Sequence, residues 1–131
     1  MRQKVLVIDD EPHIVNFLRL FFEKEYDVFE ANTGLEGISL AQKLQPDLIL
    51  LDTQMPKMNG YVTSMHLKGN PLTRHIPIIF LAAMIRTSER PQMLRSKVED
   101  IIAKPFDPYI LRHKMHKVLG GGVSYAYEYI R

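Results

Sequence analysis

The feature that most limits how this chain can fold is a set of short apolar runs that do not alternate with polar residues. They are Lys4 to Asp9, Val28 to Ala31, Asp47 to Leu51, Ile76 to Leu81 and Asp100 to Ala103. A strand with one face in water alternates, whereas a strand covered on both faces reads as a continuous run. The segments between them carry helical spacing instead. His13 to Lys24 holds Ile14, Val15, Phe17, Leu18, Phe21 and Phe22, the pattern of an amphipathic helix. Thr33 and Glu36 form a T-x-x-E capping box that opens a helix through Leu44, with Leu35, Ile38, Ala41 and Leu44 inward, and Gln45-Pro46 stops it. Pro56 and Asn59-Gly60 mark a tight loop before a helix from about Tyr61 to Lys68. Ser88 is placed to cap a helix to about Lys97, with Pro91 in its first turn, and Asp107-Pro108 to open a last one to Leu119. Strand and helix alternate throughout, which predicts an α/β, doubly wound parallel sheet.

At 131 residues the chain reads as one domain over 1–119, followed by a Gly120–Gly122 linker and a tyrosine-rich tail over 123–131. With 17 basic and 15 acidic residues its net charge of +2 gives no electrostatic footprint for nucleic acid. Zero cysteines exclude a disulfide framework and Cys-ligated zinc. No apolar run approaches a membrane span, and the N-terminus lacks a signal-peptide core, so the expectation is a soluble, cytoplasmic protein with no membrane partner. No further domain is expected after residue 119, whether the chain stands alone or is a piece cut from something longer.

In an open α/β sheet, ligands bind beyond the carboxyl ends of the strands. Those ends deliver Asp9 and Asp10 from the first run, Asp52 from the third, Ala82 from the fourth and Lys104 from the fifth. Three carboxylates on one rim make a hard-oxygen site suited to Mg²⁺, which keeps several waters and often pairs with phosphate. A nearby lysine neutralises an anion that the carboxylates alone would repel. The combination reads as a site for a phosphoryl group beside magnesium.

The blocks VLVIDDEP, PDLILLDTQMPKMNGY, IPIIFLAA and IIAKPF, in this order and spacing, resemble the receiver domain of two-component response regulators. The resemblance covers residues 2 to about 119 and implies a CheY-like, flavodoxin-like fold with five strands in order 2-1-3-4-5. It implies that Asp52 is the phosphoacceptor, accepting a phosphoryl group from a histidine kinase or phosphotransfer protein. Metal binding would fall to Asp10 and Asp52 directly, Asp9 through water, and the backbone carbonyl of Gln54, with Mg²⁺ as the cofactor. Lys104 would hold the phosphoryl oxygens, and Lys104-Pro105 would be a cis peptide. Pro56 and Gly60 match the turn after the nucleophile. Gln54 and Met84 occupy positions that tune phosphoryl lifetime in the family. The protein would then be a signalling switch and not an enzyme, with a downstream target that the sequence does not name. A homodimer through the last two helices is a further expectation, although the charged pairs usual for one subfamily are not cleanly present.

Three departures stand beside that pattern. Ala82 replaces the family's Thr or Ser, Ile101 replaces its aromatic switch residue, and Lys97 replaces a common glycine. The hydroxyl–aromatic relay is therefore missing as a pair, which keeps open a degenerate receiver that works as a phosphorylation-independent interaction domain. A haloacid-dehalogenase-like phosphatase is disfavoured, because its D-x-D motif does not occur at a strand end. Among the remaining residues, Glu11 reads as a favourable acid at a helix N-terminus and His13 as an exposed helical histidine. The run Arg112 to Lys117 reads as a partly solvent-facing helix end with Met115 turned inward; His113 and His116 as metal ligands, or the run as a docking face, are weaker readings.

Overall fold

The computed structural model describes residues 2–83 and 90–120. Its elements alternate as expected: β1 (Lys4–Ile8), α1 (Pro12–Phe22), β2 (Asp27–Ala31), α2 (Gly34–Leu44), β3 (Leu48–Asp52), α3 (Gly60–Gly69), β4 (Ile78–Ala82), α4 (Arg90–Arg95), β5 (Asp100–Ala103) and α5 (Pro108–Leu119). The strands form one sheet in the order β2-β1-β3-β4-β5, with every pairing parallel. The order reverses between β1 and β3, and the crevice above that point is where the acids of both strands emerge.

The unbroken runs are explained by two cores. Leu6, Ile8, Ile49, Leu51, Ile78 and Phe80 pack on one face with Ala41 of α2 and Leu67 of α3. Val5, Val7, Leu48, Leu50, Ile79 and Leu81 pack on the other with Val15, Leu18 and Phe22 of α1 and Leu111 and Met115 of α5. Neighbouring residues of β1, β3 and β4 thus serve opposite cores and leave no exposed position for a polar alternate, whereas edge strand β2 keeps Asp27 and Glu30 exposed.

The helix starts follow their capping residues. Thr33 Oγ1 accepts from the Glu36 N–H at 3.1 Å, and Glu36 returns to the Asn32 N–H at 3.0 Å, one residue before the usual partner. Asn59 Oδ1 accepts from Val62 N at 3.0 Å and Asp107 Oδ1 from Tyr109 N at 2.8 Å. Ser88 and Met84 lie outside the described residues, as does the tail beyond Gly120.

Several expectations need correction. Leu35 is not inward: it is 69% exposed, while Gly34, Gly37 and Ala41 are buried, Gly34 against Thr63 of α3 and Gly37 against Ile8 of β1, and Leu44 is half-buried. Helix α2 lies so close that a Cβ on Gly37 would sit 2.4 Å from Ile8 Cδ1. The small residues set which face turns inward. Strand β4 starts at Ile78 and not Ile76, since Pro77 has no N–H and Ile76 N bonds Thr73 O. Helix α1 starts at Pro12 and ends at Phe22, two residues short of Lys24, where Glu25 N and Tyr26 N both turn onto the Phe22 carbonyl. In the 112–117 run Met115 is buried, but so is Lys114, whose ammonium lies 3.2 Å from the buried carboxylate of Asp100 at the start of β5. Helix α4 ends at Arg95, short of Lys97, which takes φ 60°.

That left-handed backbone costs a residue with a Cβ about 1–2 kcal/mol, part of which a glycine gives back in unfolded-chain entropy. Lys97→Gly should therefore raise stability by about 0.5–1 kcal/mol, read as a higher urea midpoint with an unchanged slope. A lower midpoint would contradict this.

Candidate phosphoryl and metal site

Strand β1 stops at Ile8, but the Asp9 N–H still bonds the Ala31 carbonyl at 3.1 Å, so the first acid is fixed by the sheet. Asp52 is the last residue of β3 and pairs with Leu81 of β4. Beyond it, Thr53 N donates to Leu81 O and Gly60 N to Thr53 O, folding the β3–α3 loop back on the strand end. Only glycine fits at 60: a Cβ there would lie 2.1 Å from the Asp52 carbonyl oxygen and 2.7 Å from Thr53 Cα. Lys104 follows β5, its N–H donating to Ala82 O at 2.7 Å, and Lys104-Pro105 is cis.

These elements bring together the residues that the sequence singled out. Asp9, Asp10 and Asp52 offer carboxylate oxygens that all lie within 4.8 Å of one another. Asp9 and Asp52 are buried, and Asp10 is half-buried at the mouth. The Lys104 ammonium, on a side chain 10% exposed, lies 2.9 Å from Asp9 Oδ2, 3.2 Å from Glu11 Oε1 and 3.5 Å from Asp52 Oδ1. It is no ordinary surface lysine. Gln54 donates its N–H to Asp52 Oδ1 at 3.1 Å, and its side chain is exposed. Asp52 Oδ2 is buried with no hydrogen-bond partner.

The electrostatics follow from that crowding. Burial pushes the Asp52 carboxyl up to about 6; the Gln54 N–H pulls it back, the Asp9 charge adds to the rise and Lys104 opposes it. Burial pulls the Lys104 ammonium down, but the hydrogen bond and charge of Asp9, with the charge of Asp52 and a bond to Glu11, hold it above the ordinary lysine value. Three carboxylates with hard oxygen donors, one of them carrying a buried oxygen without a hydrogen-bond partner, form a set that fits a divalent cation such as magnesium.

Glu11 is the residue whose part the sequence reading missed. It is the N-cap of α1, yet its side chain makes no cap bond and reaches Lys104 instead. The signal was present in the third acid of the DDE run, whose Lys partner comes from the far end of the chain. His13 is exposed as expected, with its ring 3.3 Å from the same carboxylate. Ala82 and Ile101 are both fully buried, and Ala83 is exposed.

A family model described as the response regulator receiver domain matches residues 5–116. The DNA-binding dual master transcriptional regulator RpaA of Synechocystis is 37% identical over 105 residues, 79% of this chain and 44% of that protein. The chain spans less than half the length of the curated relatives it matches. Among solved structures, the receiver domain of a signal transduction histidine kinase from Syntrophus aciditrophicus superposes with TM-score 0.84 at 29% identity, over 91% of each chain. The receiver domain of a Pseudomonas aeruginosa sensor histidine kinase, described with a magnesium ion coordinated in its active site cleft, gives TM-score 0.84 at 25% identity, over 92% of this chain and 99% of that one.

The raised Asp52 value has a consequence for stability. A carboxyl held above its unfolded value binds more protons folded than unfolded, so its contribution is full below about 3.8 and is lost as pH rises through about 6. The loss is at most ~3 kcal/mol. Metal-free Asp52→Asn should therefore unfold at higher denaturant than the parent at about pH 7.5, and the gap should shrink at about pH 4.5. An equal gap at both would contradict the shift.

Proposed function

This chain belongs to the response regulator receiver domain family, and we propose that within it Asp52 accepts a phosphoryl group from phosphohistidine on a histidine kinase or phosphotransfer protein. The observation that carries this is the orphaned Asp52 Oδ2, buried beside two further carboxylates and one ammonium. In the transfer a carboxylate oxygen of Asp52 bonds to phosphorus as the P–N bond breaks. The imidazole leaves with that bond's electron pair and takes up a proton. The product is an acyl phosphate, which returns to aspartate when water attacks phosphorus. Buried Asp52 must be ionised to attack, which its value of about 6 permits at neutral pH. Lys104, tied to three carboxylates in the resting site, is placed to trade them for phosphoryl oxygens. Asp10, Asp52, Asp9 through water and the Gln54 carbonyl are the residues that would hold magnesium, which supplies charge neutralisation for the incoming phosphoryl oxygens.

The fate of the signal differs from the family's usual route. A buried methyl at Ala82 cannot donate the hydrogen bond, typically worth ~1.5–3 kcal/mol, that draws the β4–α4 loop inward. Ile101 is packed in the core and has no aromatic ring to swing. On the first reading the nucleophile Asp52, the metal-binding acids and Lys104 keep phosphorylation possible, and only its coupling to output is weakened or rerouted by Ala82 and Ile101. The same pair of residues favours the second reading, a receiver scaffold that binds its target without phosphorylation. On either reading the domain ends near residue 119 with a linker and tail to 131, and works in the cytoplasm through protein partners and not on nucleic acid or membrane. Among the described residues no helix is long and apolar enough to cross a membrane.

Intact-mass measurement after treatment with acetyl phosphate separates the two. The expected result is a phosphoryl adduct that needs Mg²⁺ and is lost in Asp52→Asn. Absence of an adduct with acetyl phosphate and with a panel of histidine kinases favours the binding-only reading.

A further inference from the structure

An ammonium has three N–H donors, and at Lys104 two of them are committed. Asp9 Oδ2 takes one at 2.9 Å and Glu11 Oε1 takes another at 3.2 Å, whereas Asp52 Oδ1 stands off at 3.5 Å. Asp9 is fixed on both sides, by its N–H to Ala31 and by its Oδ1, which accepts the Glu11 N–H at 2.9 Å. Glu11 is held differently. Its side chain is 45% exposed, makes no helix cap, and ends between the Lys104 ammonium and the ring of His13.

We propose, resting on the phosphoryl-acceptor reading above, that Glu11 is a positioning residue that draws Lys104 away from Asp52 and so slows its release to an incoming phosphoryl group. The tether depends on reach as well as charge. An aspartate at 11 keeps the charge but is shorter by one methylene, about 1.5 Å, too short for a contact that already spans 3.2 Å. A glutamine keeps the reach and loses the charge. Each substitution therefore loosens the lysine by a different route. A Glu11 that acted only by repelling an anionic phosphodonor would respond to the glutamine and not to the aspartate.

The experiment compares the parent with Glu11→Asp and Glu11→Gln in two measurements. The first is the rate of Mg²⁺-dependent phosphorylation at sub-saturating acetyl phosphate. The second is proton exchange at the ¹⁵N-labelled Lys104 ammonium, followed by NMR in metal-free protein. The tether predicts that both variants are phosphorylated about two- to five-fold faster, the size expected of one half-exposed ion pair. It also predicts faster ammonium exchange in both. An aspartate variant that behaves like the parent in either measurement overturns the proposal, as do variants phosphorylated at the parent's rate or slower. A parent protein that takes no phosphoryl group at all overturns the acceptor reading itself, a result distinct from these.

Discussion

One ammonium holds the carboxyl edge of this sheet together. Lys104 contacts Asp9, Glu11 and Asp52 at 2.9, 3.2 and 3.5 Å, and two of those three carboxylates are buried. Burying ionised carboxylates side by side is costly, and pairing offsets the cost only when geometry and hydrogen bonding are good. Asp9 meets that condition, with one oxygen on Lys104 and the other on the Glu11 N–H. Asp52 meets it in part: Oδ1 has the Gln54 N–H and the lysine, while Oδ2 has no partner. The site is thus short of positive charge, and the shortfall falls on the residue read here as the nucleophile.

The rest of the fold keeps that arrangement from relaxing. Parallel pairing of β1 with β3 and of β3 with β4 fixes where Asp9 and Asp52 stand relative to each other. The Gly60 N–H on Thr53 O, with backbone where a Cβ would sit, closes the loop that follows Asp52. A further ion pair, Lys114 with Asp100, ties α5 to the opposite end of β5 from Lys104. Rigidity on these sides leaves the Lys104 side chain, held at its tip by three carboxylates, as the part of the site placed to adjust.

The strand ends were legible because the signal is chemical as well as periodic: apolar runs stop at acids in β1 and β3 and at Lys-Pro after β5. Thr33 and Asp107 announced two helix starts because each has its acceptor oxygen at the turn that needs one, whereas Asn59 was read only as part of a tight loop and proved to cap α3 as well. Leu35 misled because helical spacing does not say which of two apolar faces turns inward, and Gly34 and Gly37 decided that by letting α2 approach. Glu11 and Lys114 were read too plainly for a shared reason. Their partners, Lys104 and Asp100, come from other elements, and a long-range ion pair leaves no local mark. Lys97 was visible as a missing glycine, but its positive φ appears only in the folded chain.

On the proposed function, Lys104 is held in reserve by carboxylates until a phosphoryl group arrives at Asp52. A crystal structure of the protein with Mg²⁺ and beryllium fluoride, a phosphoryl mimic, tests it most directly. The account predicts the mimic bonded to an Asp52 oxygen, the metal among Asp9, Asp10 and Asp52, and the Lys104 ammonium moved from Glu11 onto a fluoride. A mimic seated elsewhere, or one on Asp52 with Lys104 still on Asp9 and Glu11, would contradict it.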